Sequence, residues 1–133
     1  MIIKFGDVVV NDSNIIYDKH IFKEQPNISF DDDSKLYTVM MIDRDAPMLS
    51  NGKFWLHWLI INSNNIIVPY NPPTPSKKSG AHRYYVLIFE QLKKLNYVVQ
   101  FERMNFDVKK FMVNRQLNLV HKQRFKTLAQ NMF

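Results

Sequence analysis

The chain has 133 residues, 46% of them hydrophobic and 14% aromatic, which predicts one globular domain over residues 1–133 with an apolar core of its own. There is no cysteine, so disulfides and thiolate metal sites are excluded, in keeping with a cytoplasmic location. The formal net charge of +6 suits a solvated surface and equally an acidic partner: a phosphate, an anionic membrane surface, nucleic acid or an acidic protein face.

The N-terminal run Met1 to Asp7 turns charged too early for a signal-peptide core, and no apolar run approaches the ~20 residues of a membrane span, so a soluble chain is expected. Over residues 1–30, Val8-Val9-Val10 and Ile15-Ile16-Tyr17 are short strand candidates around Asn-Asp-Ser-Asn turn chemistry. Pro26 precedes an extended piece from Asn27 to Phe30. The acidic triplet Asp31-Asp32-Asp33 reads as a solvated turn, because nothing follows it at calcium-loop spacing.

Leu36 to Ile42 (LYTVMMI) is β-branched, aromatic and uncharged, and predicts a strand that ends in Asp43-Arg44-Asp45-Ala46-Pro47. If extended geometry persists, Asp43 and Asp45 share a side with Tyr37, Val39 and Met41, and Arg44 points the other way. Ala46–Pro47 is a candidate cis bond. Trp55 to Ile61 is the next strand. Strict alternation puts Trp55, His57, Leu59 and Ile61 on one side and Leu56, Trp58 and Ile60 on the other.

Asn62-Ser63-Asn64-Asn65 signals a turn, with Ile66 to Val68 pairing back. Pro69 to Gly80 is a proline- and lysine-rich surface loop of a length that often carries function. His82 to Glu90 is a third central strand, with His82, Tyr84, Val86 and Ile88 on one face. Asn96 to Phe101 reads as a further strand. Asn105 is a candidate N-cap for a short amphipathic helix to about Asn114, on which Val108, Phe111, Met112 and Arg115 recur at helical spacing. In the tail, Phe125, Thr127 and Ala129 could alternate in a strand; His121, Phe125, Leu128, Ala129 and Met132 could equally line a helix. The whole is mainly β.

Asp43, Asp45, His57 and His82 lie within or beside the most hydrophobic stretches, where an ionisable group costs free energy unless it is paired or liganded. Convergence of these strands would give an Asp/His cluster able to take a small anion, with Tyr84 adding a hydroxyl. A carboxylate beside either imidazole favours the imidazolium, which donates to phosphate oxygens, and coupled titration is expected. The competing reading of His57 is a core histidine held between Trp55 and Trp58 and satisfied by backbone groups. His20 and His121 read as surface residues.

The run Asp43-Arg44-Asp45-Ala46-Pro47, then Trp55-Leu56-His57-Trp58, then Ser79-Gly80-Ala81-His82-Arg83-Tyr84, resembles the ordered motifs of the phosphatidylethanolamine-binding protein family, which includes the Raf kinase inhibitor protein. Gln25-Pro26-Asn27-Ile28, Phe89-Glu90-Gln91 and Asn105-Phe106-Asp107 extend the likeness from about Gln25 to Phe125. The resemblance implies an antiparallel β-fold, a large central sheet packed on a smaller one with one or two short C-terminal helices. It also implies a small anion pocket formed by Asp43, Asp45, His57, His82 and Tyr84, with the Pro69–Gly80 loop as part of the wall.

The departures are Arg44 for a proline, Leu56 for the first histidine of a paired motif, and Lys78 and Asn118 for glycines. The sequence also ends at Phe133, short of the extra C-terminal helix that borders the pocket in animal members. A shallower, more open pocket is expected, with Arg44 adding charge near its mouth.

The function this predicts is a non-enzymatic binding module for a small phosphate-containing or carboxylate anion, such as a lipid head group. It would regulate a signalling protein partner through a basic surface, with peripheral contact to anionic membrane. The alternatives are a protein-interaction scaffold with a vestigial pocket, or a metal-dependent phosphoesterase built on the two Asp and two His. No HExxH, P-loop or GxSxG motif is present, so no catalytic residue, metal or cofactor is expected. Nucleic acid is not an expected partner either: Lys109, Lys110, Arg115, Lys122, Arg124 and Lys126 are not interleaved with stacking aromatics.

Overall fold

The computed structural model describes residues 1–78, 80–96 and 101–129. In chain order the strands are β1 (Ile2–Phe5), β2 (Val8–Val9), β3 (Ile16–Tyr17), β4 (Asn27–Ser29), β5 (Leu36–Asp43), β6 (Trp55–Ile61), β7 (Asn65–Val68) and β8 (His82–Gln91). Helix α1 (Val108–Asn114) and β9 (Asn118–Thr127) follow. A 3-10 turn covers Lys19–Phe22. The fold is mainly β: a six-stranded central sheet in the order β3-β9-β8-β5-β6-β7 and a three-stranded sheet β2-β1-β4.

The central strands form because their alternate residues bury on two faces. Along β5, Tyr37, Val39 and Met41 face one core, shared with Ile3, Phe5 and Phe22 from the smaller-sheet side; Met40 and Ile42 face the other, shared with Phe106, Phe111 and Leu117. Helix α1 thus covers one face of the large sheet and the small sheet the other. Phe125 is fully buried between Phe22, stacked at 4.6 Å, and Tyr84, stacked at 5.5 Å. Burial of such a ring stabilises by roughly 1.5–3 kcal/mol, before the aromatic geometry is counted.

Several expectations change. β1 is not among the strands the sequence predicts, yet it is the middle strand of the small sheet and places Ile3 and Phe5 in the core. The tail resolves as strand: β9 pairs antiparallel with β8 along its length, because Phe125 and Thr127 find buried places at period two. The cap of α1 is Asp107, whose carboxylate accepts from Lys110 N–H, while Asn105 uses its Oδ1 to accept from Ser50 N–H at 2.8 Å. Ala46–Pro47 is trans. The strand expected over Asn96–Phe101 falls on residues 97–100, outside those described.

The alternation expected of β6 fails in an instructive place. Trp58 pairs with Met41 and Leu56 with Ile42, so His57 is the extra residue of a β-bulge. The bulge breaks parity: Trp58 and Ile60 pack in the core that holds Met41, whereas Leu56, Leu59 and Ile61 pack in the opposite one.

Candidate functional site

β5, β6 and β8 are adjacent in the sheet, and their register brings Asp43 opposite both Trp55 and Tyr84. β5 stops at Asp43 because the chain folds back on its own carboxylate: Asp45 N–H donates to Asp43 Oδ1 at 2.7 Å, an Asx-type turn. The other oxygen, Oδ2, lies 2.8 Å from Nδ1 of His82. Both residues are almost fully buried, at 4% and 3% exposure, so the carboxylate and imidazole are each other's compensation for leaving water.

His57 is held differently. Its Nδ1 is 2.7 Å from the Asn71 carbonyl oxygen, to which it donates, and Asn71 N–H donates to the His57 carbonyl at 2.9 Å. A ring whose Nδ1 carries the proton presents a lone pair on Nε2 when neutral. Burial pushes the His57 pKa down from 6.5 to about 4; the Asn71 hydrogen bond and the Asp43 charge oppose that shift without cancelling it. The imidazolium expected at this position is therefore replaced by a neutral ring. Satisfaction by backbone and a place in the cavity wall turn out to be compatible for this residue.

A residue that sequence reasoning did not single out fixes the bulge. The guanidinium of Arg103 donates through Nη1 to the carbonyls of Leu56 (3.0 Å) and His57 (2.9 Å), and through Nη2 to that of Pro69 (2.7 Å). It also lies over the Trp55 ring at 5.5 Å. Arg103 thereby ties β6 at the bulge to the start of the proline-rich loop. Nothing in its sequence neighbourhood, Glu102 to Met104, announces this.

Together these groups border a cavity of about 370 Å³ at one end of the central sheet. Asp43, His57 and His82 supply its deep polar wall; Trp55, Pro47, Met48 and Met104 supply apolar surface, and Thr74 and Ser76 bring the proline-rich loop to its rim. Asp45 does not line it. Because the strand ends at Asp43, Asp45 turns to Arg83 instead, accepting from its backbone N–H (2.7 Å), Nε (2.9 Å) and Nη2 (2.7 Å). Those hydrogen bonds hold its carboxyl below the usual range.

Tyr84 lies beneath the wall rather than in it. Its ring is fully buried, 5.4 Å from that of His57 and 6.2 Å from that of His82. Its hydroxyl is buried without a partner of hydrogen-bonding geometry, and burial, reinforced by the nearby Asp43 charge, raises its pKa.

Two departures from the family pattern leave the cavity untouched. Leu56 is fully buried on the opposite face of the sheet, and Arg44 reaches the Tyr85 hydroxyl, not the cavity mouth. Among the described residues no group of three or more His, Cys, Asp or Glu is arranged to hold a metal ion. No described helix is long and apolar enough to cross a membrane.

The family model for phosphatidylethanolamine-binding protein matches residues 9–64 and 60–131. The chain belongs to that family. It is 32% identical over 126 residues to "Putative odorant-binding protein A5" of Drosophila melanogaster, covering 82% of this chain and 60% of the relative. It is also 32% identical over 101 residues to the "26 kDa secreted antigen" of Toxocara canis, covering 68% and 38%. The chain thus spans less than two thirds of the length of either relative.

Among solved structures, a carboxypeptidase Y inhibitor complexed with its cognate proteinase superposes with a TM-score of 0.78 at 21% identity, over 97% of this chain and 82% of that one. The phosphatidylethanolamine-binding protein of Plasmodium vivax gives 0.74 at 19% identity, over 97% and 84%. At these identities the structures establish the fold. The Drosophila relative is named as an odorant-binding protein, the Toxocara relative as a secreted antigen and the first solved structure as a proteinase inhibitor.

Proposed function

We propose that this family member is a non-enzymatic binding module whose Asp43–His57–His82 cavity takes a small phosphorylated or carboxylate anion, and that occupancy regulates a signalling protein partner. The observation that carries the reading is the buried Asp43–His82 pair at 2.8 Å beside a neutral His57, in one cavity open to solvent. Three ionisable groups held together by burial are costly to fold around, and a ligand-binding role accounts for keeping them. The odorant-binding name of a relative 32% identical supports small-molecule binding in general.

The test is an NMR titration with phosphorylethanolamine that follows the imidazole signals. The reading expects His57 and His82 to shift together and the response to vanish in His82→Ala. Ring signals unmoved at saturating ligand overturn it.

A second reading, a protein-docking scaffold with an unused pocket, draws support from the sheet face away from the cavity. There, against the opposing effect of burial, nearby Arg44 and Arg124 hold the Tyr85 hydroxyl below the usual phenol range, and Lys122 lies 6.0 Å from its ring, giving a positive surface for an acidic partner. Partner binding that survives His82→Ala but fails in Arg44→Glu would favour this second reading.

A further inference from the structure

The hydrogen-bond polarity of the cavity wall carries a statement about ligand protonation, which rests on the binding reading above. We propose that the cavity is selective for a phosphate group that retains one proton, and that it rejects tetrahedral anions of the same size and charge that have none, such as a sulfate ester.

Two deep wall residues offer acceptors. His57 has committed Nδ1–H to the Asn71 carbonyl at 2.7 Å, so its Nε2 lone pair is what the neutral ring has to offer. Asp43 accepts on both oxygens, from Asp45 N–H and from His82 Nδ1, and an ionised carboxylate is acceptor-only. Both residues are at most 4% exposed, so water cannot cheaply fill in for a missing donor.

The groups facing His57 are Asp43 from β5, His82 and Tyr84 from β8, and Arg103 from the segment before α1. Asp43 favours a second proton on the ring; Arg103, His82 and, above all, burial disfavour it, and the ring stays neutral. Tyr84 does not alter this balance, because burial and Asp43 keep its hydroxyl protonated and uncharged.

An oxyanion entering this wall meets a lone pair and a carboxylate. A P–OH group converts one of those clashes into a hydrogen bond: its proton stays on phosphate oxygen and is donated to His57 Nε2 or to Asp43. The remaining phosphate oxygens face the rim, where the Thr74 hydroxyl can donate to them. A sulfate ester has the same shape and a single negative charge but no proton to give, so an acceptor stays buried against an oxygen.

Methyl phosphate and methyl sulfate isolate the effect, since the monoanions differ chiefly in that proton. Calorimetric titration of the whole chain is expected to give methyl phosphate binding about 10–100-fold tighter than methyl sulfate near pH 6, the ratio set by one lost hydrogen bond to a buried acceptor. A phosphate monoester loses its second proton near pH ~6, so affinity should weaken roughly 50-fold between about pH 6 and pH 8.

Methyl sulfate within threefold of methyl phosphate, or methyl phosphate affinity flat over that range, overturns the proposal and leaves the binding reading standing. Both esters weakening in parallel as pH rises would place the pH dependence in the protein and not in the ligand's proton, and likewise overturn it. Neither ester binding at any pH sinks the binding reading itself, and this one with it.

Discussion

Lowering the pH tests the account of His57 without touching the sequence. In the unfolded chain its imidazole titrates near 6.5; folded, burial holds it at about 4. Between those values the unfolded chain binds a proton that the folded chain refuses, so the neutral form's contribution is complete above about pH 6.5 and is lost as pH falls toward 4. The gap corresponds to roughly 3 kcal/mol in all, of which about 2.5 kcal/mol is gone by about pH 4.5.

Urea unfolding of the wild type and His57→Phe over about pH 7.5 to 4.5 isolates this contribution, because the readout is the difference between two pH profiles. Loss of the bond to the Asn71 carbonyl shifts the variant's curve uniformly and leaves its slope alone. Asp45 and Asp107, whose carboxyls are also held low, lose their contributions mainly below this window and do so in both proteins. His121, lowered by burial, is likewise common to both. The wild type should lose about 2–3 kcal/mol more than the variant across the window. Parallel profiles would mean that His57 is charged or water-exposed in the folded chain, and the acceptor wall would go with it.

Other consequences concern the groups around the cavity and one control far from it. Arg103→Ala removes two partly buried, charge-assisted bonds to the Leu56 and His57 carbonyls and should cost about 3 kcal/mol by urea unfolding, with ligand affinity falling too; unchanged affinity would mean that the bulge holds itself. Tyr84→Phe removes a buried hydroxyl that has no partner, so thermal unfolding should stay within about 1 kcal/mol of wild type, and a larger loss would expose a missed hydrogen bond. At the opposite end of the sheet, Gln91 accepts from Thr38 Oγ1 and Asn62 N–H and donates to Asn62 Oδ1. Gln91→Leu should therefore cost roughly 2–4 kcal/mol in denaturant while calorimetric ligand affinity is unmoved.

What the sequence discloses here divides along physical lines. The central strands are legible because β5, β6 and β8 are long, β-branched and aromatic, and burial on both faces leaves them no other state. The tail stays ambiguous in sequence because Phe125 and Ala129 satisfy both periods, and it is the long pairing with β8 that selects strand. The helix is legible and its cap is not: Asn105 and Asp107 are both good capping residues, and the choice follows from Asn105 being engaged with Ser50 across the chain. Asp45 is misread for a local reason. Parity holds only while the strand lasts, and the strand ends when Asp45 N–H finds the Asp43 carboxylate.

The deepest miss is also the most consequential. Period two makes Trp55, His57, Leu59 and Ile61 one face, and on that rule Trp58 points away from the core that holds Met41. The bulge cancels the rule at one residue, so that His57 lines the cavity while Trp58 packs alongside Met41. Because the extra residue is absorbed at His57, Leu56 stays behind in the other core, and a substitution there that looks like damage to a binding motif leaves the cavity untouched. The bulge in turn depends on two carbonyls, of Leu56 and His57, that Arg103 ties down from 47 and 46 residues away. A cavity wall made this way is written in three separate places, and only the histidine is visible from local pattern. The neutral ring and the acceptor it presents follow from tertiary contacts that no window of sequence contains.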